Sequence, residues 1–498
     1  VAVKSVSPVA RPAQSTTVVS GPLYRGLVSS EGGKLQEWTL HYRGDKPLVI
    51  VGELGPRGLV PGGDLAAADP LAMSLGPREL KLGRESLSGE LVLQGELGGL
   101  RVRETLRFDA GQYTIDAHIR VENTTASPRA LTFSLPWLYR HDEKTPAGKF
   151  PGQLPTEVVW AASGRVQRVE DLKTVGRHEA EGGAWVALGS TWYLAALIPK
   201  SPGFTLVIEG DKKEGKEEYR VAVAVRAGPT IAPGQAWEGR VIFYIGPKEY
   251  DRLEALGLEG TVNFGGFPLP QRYGGLPMEW LGVPILKLMN WLHGFVANYG
   301  VVIILLTVVS KVLFFPLTVK SLRSMKAMQA LQPQINALRS KYRSEPRKLQ
   351  EETMTLYRKH RVNPMGGCLP MVAQVPIFYA LYLALSVSVE LQNAPFLCIG
   401  RAFGVDLWIC DLAGYDPTYI LPILMGVSMF IQQKMTPTMG DPRQARMMLV
   451  MPFVFTFMFL NLPSGLVLYW FMSNVLQILQ QWWMDRSGRV ASRESARA

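Results

Sequence analysis

Two patterns of apolar residues divide the chain near residue 278. Before it, the stretches Leu100 to Phe108, Tyr113 to Val121 and Tyr219 to Ala227 alternate polar and apolar side chains, the period of a half-buried strand. Gly and Pro clusters punctuate them, as from Gly55 to Asp64. The spacing predicts a large antiparallel sandwich, an all-β domain over residues 21–258. A linker rich in Ser, Thr, Pro and Ala (1–20) precedes it, and a helix over Pro247 to Gly257 closes it.

After residue 278 the period changes. Five apolar segments follow, at about 295–317, 366–389, 419–431, 447–462 and 466–478. A helix needs ~20 apolar residues to cross a ~30 Å hydrocarbon core, so the third and fourth taken singly also suit buried core helices. Five in succession, with few charges inside them, predict instead an α-helical membrane domain over 294–484, thinning the bilayer at the short spans. Between the halves lies a linker, 259–293, ending in a helix from Met278 to His293. Its Trp280, Leu281, Ile285, Leu286, Leu288, Met289 and Leu292 form a broad apolar face. That helix is expected along the outer membrane surface, or else packed under the β-domain.

Charge sharpens the division. The chain has 498 residues, with 53 Lys+Arg against 42 Asp+Glu. From Glu279 onward there are 21 basic and 11 acidic residues, so nearly all of the +11 surplus falls in the apolar half. Basic loops between apolar spans mark a cytoplasmic side. Lys320 to Arg361 holds eleven Lys+Arg and three Glu; Lys434, Arg443 and Arg446 lie in the next basic loop, and Arg486, Arg489, Arg493 and Arg497 in the tail, 485–498. The alternate connections are poor in cations, with one Arg and four acids from Glu390 to Thr418. Five spans with the C-terminus inside place the β-domain outside, which requires a signal-anchor span upstream of Val1.

Lys311 is the one charge in the first span, and no acid lies in any of the five apolar cores. A cation there costs ~2.5–3.5 kcal/mol on insertion scales, so such residues face a polar interior, or snorkel to the interface. The spans also supply Thr307, Ser310, Gln374, Gln432, Gln433, Ser473, Asn474, Gln477, Gln480 and Gln481, mostly toward their cytoplasmic ends. A wet cavity open to the cytoplasm and closed outside would satisfy them all.

The basic loop, 320–363, reads as two amphipathic helices, roughly 321–342 and 345–360, with Pro346 in the first turn of the second. Its cations suit anionic lipid headgroups or the phosphates of ribosomal RNA. Cys398 and Cys410 share a predicted outer loop, where an oxidising compartment would join them, or leave two buried thiols; Cys368, at the cytoplasmic mouth of the second span, should stay reduced. His41, His118, His141 and His178 form no metal-spaced cluster, and Arg177-His178-Glu179 is an acid/base pair or, more simply, a solvated loop. Neither a Gly-x-Ser-x-Gly turn nor a phosphate-binding Gly-rich loop occurs, so no catalytic residue, metal or cofactor is expected.

Val362 to Phe396, Asp416 to Pro437 and Met451 to Gln481 resemble the YidC membrane-protein insertases across the whole membrane half. The N-terminal half is similar, more loosely, to the periplasmic β-supersandwich of Gram-negative members. The resemblance implies a non-enzymatic insertase and chaperone of the bacterial inner membrane, acting as a monomer, alone or with the Sec translocon and the ribosome. Its hydrophilic groove would receive polar segments of nascent membrane proteins and release their helices into the lipid bilayer. The family's groove cation is typically Arg; Lys311 stands at that position here. The loop with Cys398 and Cys410 is longer than the family's usual form. Phe378, Tyr379, Phe453, Phe455, Tyr469 and Trp470 are the candidate contacts for a substrate helix. Two rival classes are a secondary transporter, for which the spans lack a repeat, and a membrane-tethered carbohydrate-binding protein or enzyme, whose activity would sit in the β-domain.

Overall fold

A computed structural model describes residues 14–42, 48–51, 55–56, 58–62, 65, 69–141, 156–212, 219–264, 266–267, 276–343, 345–360, 362, 369–402, 405–435 and 442–495. Cys368 lies outside the described residues, as does the side chain of Gln374. The chain forms two units, Val1–Asn263 and Phe264–Ala498.

The first unit is β-rich. Among the described residues its largest sheet runs Arg165–Val169, Glu157–Ala162, Trp185–Gly189, Tyr193–Pro199, Ala236–Pro247, Thr114–Asn123, Leu100–Asp109, Ser88–Leu97 and Ser74–Leu75. A second sheet is built on His178–Glu181, Phe204–Lys212, Tyr219–Ala227 and Phe133–His141, and a third on Leu48–Val51, Leu35–Leu40, Tyr24–Ser29, Thr16–Ser20 and Glu79–Lys81. The first two sheets meet where Trp185–Gly189 packs on Tyr219–Ala227. These strands are buried nearly throughout because both their faces are covered. At the sheet's other end one face is wet, and Leu100–Asp109 alternates, with Leu100, Val102, Glu104, Leu106 and Phe108 inward. Glu104 thereby enters an apolar core.

The unit ends five residues beyond the sequence-based boundary. Helix α1 (Tyr250–Leu256) stops at Gly257, whose φ of 74° is the left-handed conformation that glycine adopts without strain. The following turn is held by a buried ion cluster. Lys248 Nζ donates to Glu157 Oε1 at 2.8 Å and to the Thr261 carbonyl at 3.0 Å, while Arg168 bridges Glu157 and the Gly260 carbonyl. Burial pushes the Lys248 ammonium below its ordinary range, and Glu157 opposes that shift.

The second unit is helical: α2 (Glu279–His293), α3 (Tyr299–Ala330), α4 (Gln332–Lys341), α5 (Pro346–Lys359), α6 (Leu369–Val387), α7 (Ile420–Met435), α8 (Pro442–Phe459) and α9 (Ser464–Ser495). Helix α2 packs on α6 and buries Gly282, Leu286 and Met289. Trp280 is exposed and Leu281, Ile285, Leu288 and Leu292 are only half-buried, so the burying stripe is narrower than the apolar face read from sequence. Helix α3 begins where the Asn298 side chain accepts from the Val301 N–H. It then runs through residue 320, where the sequence suggested a separate loop helix, and breaks only before Pro333 in the first turn of α4. Among the described residues α3 is the one helix long and apolar enough by itself to cross a bilayer; Val375–Val387, Ile420–Met435 and Leu449–Phe459 are apolar but shorter.

A hairpin of Leu397–Ala402 and Val405–Ile409 carries the Cys398–Cys410 disulfide. Phe396 seats it on α3 at Gly300, where any Cβ would lie 2.1 Å from the Phe396 ring. Asp416 starts α7: its carboxylate accepts from the Thr418 N–H at 2.9 Å and the Leu421 N–H at 2.8 Å. Asp416 is 1% exposed, so Asp416→Ala strands a buried amide and should cost about 1–3 kcal/mol. Hydrogen exchange along Ile420–Met435 in the full chain will read this as faster opening confined to α7; unchanged protection would remove Asp416 as its anchor.

Candidate functional site

Helices α3, α7 and α9 converge on a polar seam inside the apolar bundle. On α3, Ile303, Thr307 and Lys311 follow one another at four-residue steps, so they share a face. The opposite face, with Val308, Val312 and Leu313, is exposed, Leu313 to 70%. Lys311 therefore belongs to the helix-packed side. Its Nζ donates to Gln477 Oε1 on α9 at 3.2 Å.

Helix α9 divides its amides between two neighbours. Gln477 faces α3; Asn474 donates to Ser428 Oγ on α7 at 3.2 Å, and Gln481 donates to the Met435 carbonyl at the end of α7. The three-and-four spacing of residues 474, 477 and 481 puts all three on one stripe. Ser473 is also buried. Two hydroxyls serve their own helix: Thr307 donates to the Ile303 carbonyl at 2.7 Å and Ser310 to the Thr307 carbonyl at 2.8 Å. They keep acceptor lone pairs but have no free donor. Gln432 and Gln433 are half-buried near the end of α7. Ser428 was missed in sequence, although its four-residue step to Gln432 was there to be read.

The aromatic candidates separate into groups. Phe378 on α6 lies edge-to-face with Trp470 at 4.6 Å and beside Tyr469 at 6.1 Å. Phe455 and Phe459 on α8 join Trp470 at 5.9 and 4.8 Å. Four of the six candidates thus form one cluster, with Phe459 as its unforeseen buried member. Tyr469 is itself buried, and Tyr379 pairs with Tyr382. Phe453 lies apart, 67% exposed and against Phe430 of α7.

In the first unit the sequence-flagged acid/base group is an ion-pair ladder: Arg177 and Arg226 both donate to Glu179. No group of three His, Cys, Asp or Glu among the described residues is placed to hold a metal.

A model of the 60Kd inner membrane protein family matches residues 291–491, and one of the YidC periplasmic domain matches residues 16–272. A membrane protein insertase YidC of Syntrophus aciditrophicus (strain SB) is 37% identical over 487 residues, covering 94% of this chain and 84% of that protein. The chain belongs to the YidC family. Another YidC insertase, from Nitratidesulfovibrio vulgaris (strain DSM 19637 / Miyazaki F), is 38% identical over 488 residues, covering 95% of this chain and 86% of its own. An active YidC insertase crystal structure with the first transmembrane domain resolved aligns over 94% of each chain, at 18% identity and a TM-score of 0.38. The membership assigns the helical unit to an inner membrane protein family and the β-rich unit to the YidC periplasmic domain.

Proposed function

We propose that this chain is a membrane protein insertase whose polar seam is the wall of a groove for the hydrophilic segment of a nascent membrane protein. In this reading α3, α6, α7, α8 and α9 cross the inner membrane. The β-rich unit is periplasmic; α4, α5 and the tail are cytoplasmic, where their cations meet lipid headgroups, ribosomal RNA or the ribosome. The charge distribution supports that orientation.

One observation carries the reading: the ammonium of Lys311, on the packed face of an apolar helix, is bonded to a neutral amide. Paired with an acid, that cation would be neutralised and structural. Bonded to Gln477 it keeps its charge and two further N–H donors for an incoming group. A polar segment entering from water exchanges hydration for these groups, which lowers its desolvation cost. Its apolar helix rests against Phe378, Tyr379, Phe455 and Trp470 and partitions into lipid. Nothing in this sequence of events makes or breaks a covalent bond. In this reading the groove is contained in one chain, which supports activity as a monomer, and the chain works alone or beside the Sec translocon.

Proteoliposomes containing the full chain should insert a short single-span protein with an acidic tail, read as protease protection of that tail several-fold above protein-free liposomes. Equal protection in both would overturn the reading.

A further inference from the structure

Helices α7 and α8 touch where Gly426 meets Thr456; a Cβ on Gly426 would lie 1.9 Å from the Thr456 hydroxyl. Above that crossing the helices leave an open apolar groove of about 410 Å³, its walls formed by Ile423, Val427, Phe430, Phe453, Phe457 and Leu460. Phe457 is 78% exposed, and Thr456 turns its hydroxyl back to the Pro452 carbonyl, leaving no free donor on the groove floor. At the end of the same wall the Lys434 ammonium lies 4.7 Å from the centre of the Phe430 ring. Lys434 is exposed, and none of the ion pairs among the described residues includes it. This groove is separate from the Lys311 seam.

We propose that the α7–α8 groove binds one acyl chain of an anionic phospholipid, with the headgroup phosphate on Lys434. Length and charge select this occupant. From Ile423 to Lys434 the helix rises about 16 Å, roughly half of a ~30 Å hydrocarbon core, so one chain reaches from the cation to the groove's far end within a single leaflet. A phospholipid carries its anion at the end of its chain, where the groove has its cation. An entering protein helix has no anion fixed at that depth. The proposal rests on the membrane reading above and puts the headgroup in the cytoplasmic leaflet.

The test uses the full chain in proteoliposomes with photoactivatable acyl-chain probes on phosphatidylglycerol or phosphatidylcholine, followed by mapping of the labelled residues. Labelling of Phe430, Phe453 and Phe457 should favour phosphatidylglycerol by about fivefold, the ratio set by one cation beside an anionic headgroup. Lys434→Gln should erase the preference while keeping the labelling. Val427→Trp, at a half-exposed position whose larger ring fills the groove, should remove labelling by both probes. Val312 and Leu313 on the exposed face of α3 report on the premise. If they are labelled and the groove is not, or if both probes label the groove equally in the native chain, the lipid site is wrong. If they too are unlabelled, the membrane placement of these helices fails first.

Discussion

Replacing Lys311 with alanine is expected to reduce insertion of an acidic-tailed single-span substrate by roughly tenfold or more, while Lys311→Arg keeps most of it. Two unit charges 4 Å apart interact by ~4 kcal/mol at an effective dielectric of about 20, and a third of that surviving competition from water is already a factor of about ten. Arginine restores the charge and adds a planar fork for carboxylates, so it should equal or exceed lysine on acidic tails. A tail without acids should lose much less in Lys311→Ala, because only the amides of the seam would serve it. That contrast separates a charge acting on the substrate from damage to the bundle. Damage would lower both substrates together, through the loss of the Lys311–Gln477 bond between α3 and α9. Full activity of Lys311→Ala on the acidic tail would remove the cation from the mechanism.

The second large effect concerns stability. Glu104 is 1% exposed, its Oε2 has no hydrogen-bond partner among the described residues, and burial pushes its carboxyl up from 4.5 to about 8. Because the folded pKa lies above the unfolded one, the unfolded chain ionises first as pH rises. The N-terminal unit therefore loses stability progressively from about pH 4.5 to about pH 8. At pH 7 the cost is on the order of 3 kcal/mol. Glu104→Gln should recover most of it at pH 7 and almost none near pH 4.5. The urea midpoint of the unit, followed by pulse proteolysis of the full chain in detergent, will decide. A gain that is the same at both pH values would mean that Glu104 titrates normally.

The two units differ in how much of them was legible in the sequence. Strand Tyr219–Ala227 and the helical regions were readable because period 2 and long apolar runs are local signals. The inward turn of Glu104 was present in the same parity that marked its strand, since it shares the face of Val102 and Leu106. Alternation marks an amphipathic strand but does not by itself separate a carboxylate on the dry side from an apolar neighbour. In the candidate site, Lys311 and Gln477 could be named singly, but their pairing across 166 residues depends on how α3 and α9 pack, which no local pattern encodes. The aromatic residues failed in a different way. Composition cannot tell the exposed Phe453 from the buried Tyr469, because both sit in stretches, 447–460 and 465–472, whose side chains are apolar nearly all round.

The unbroken course of α3 has a mechanical consequence. At about 1.5 Å per residue its 32 residues make a rod of roughly 48 Å, with Lys311 some 28 Å from the end at Ala330. The one weak point between them is Pro316, which cannot donate to the carbonyl of Val312 and marks where such a helix bends. A force applied to the α4 end thus acts through a long arm on a fulcrum one and a half turns from the cation. Small rotations at Pro316 become excursions of several ångströms at the tip, and a partner seated on the basic helices would gain leverage over the charge without touching it.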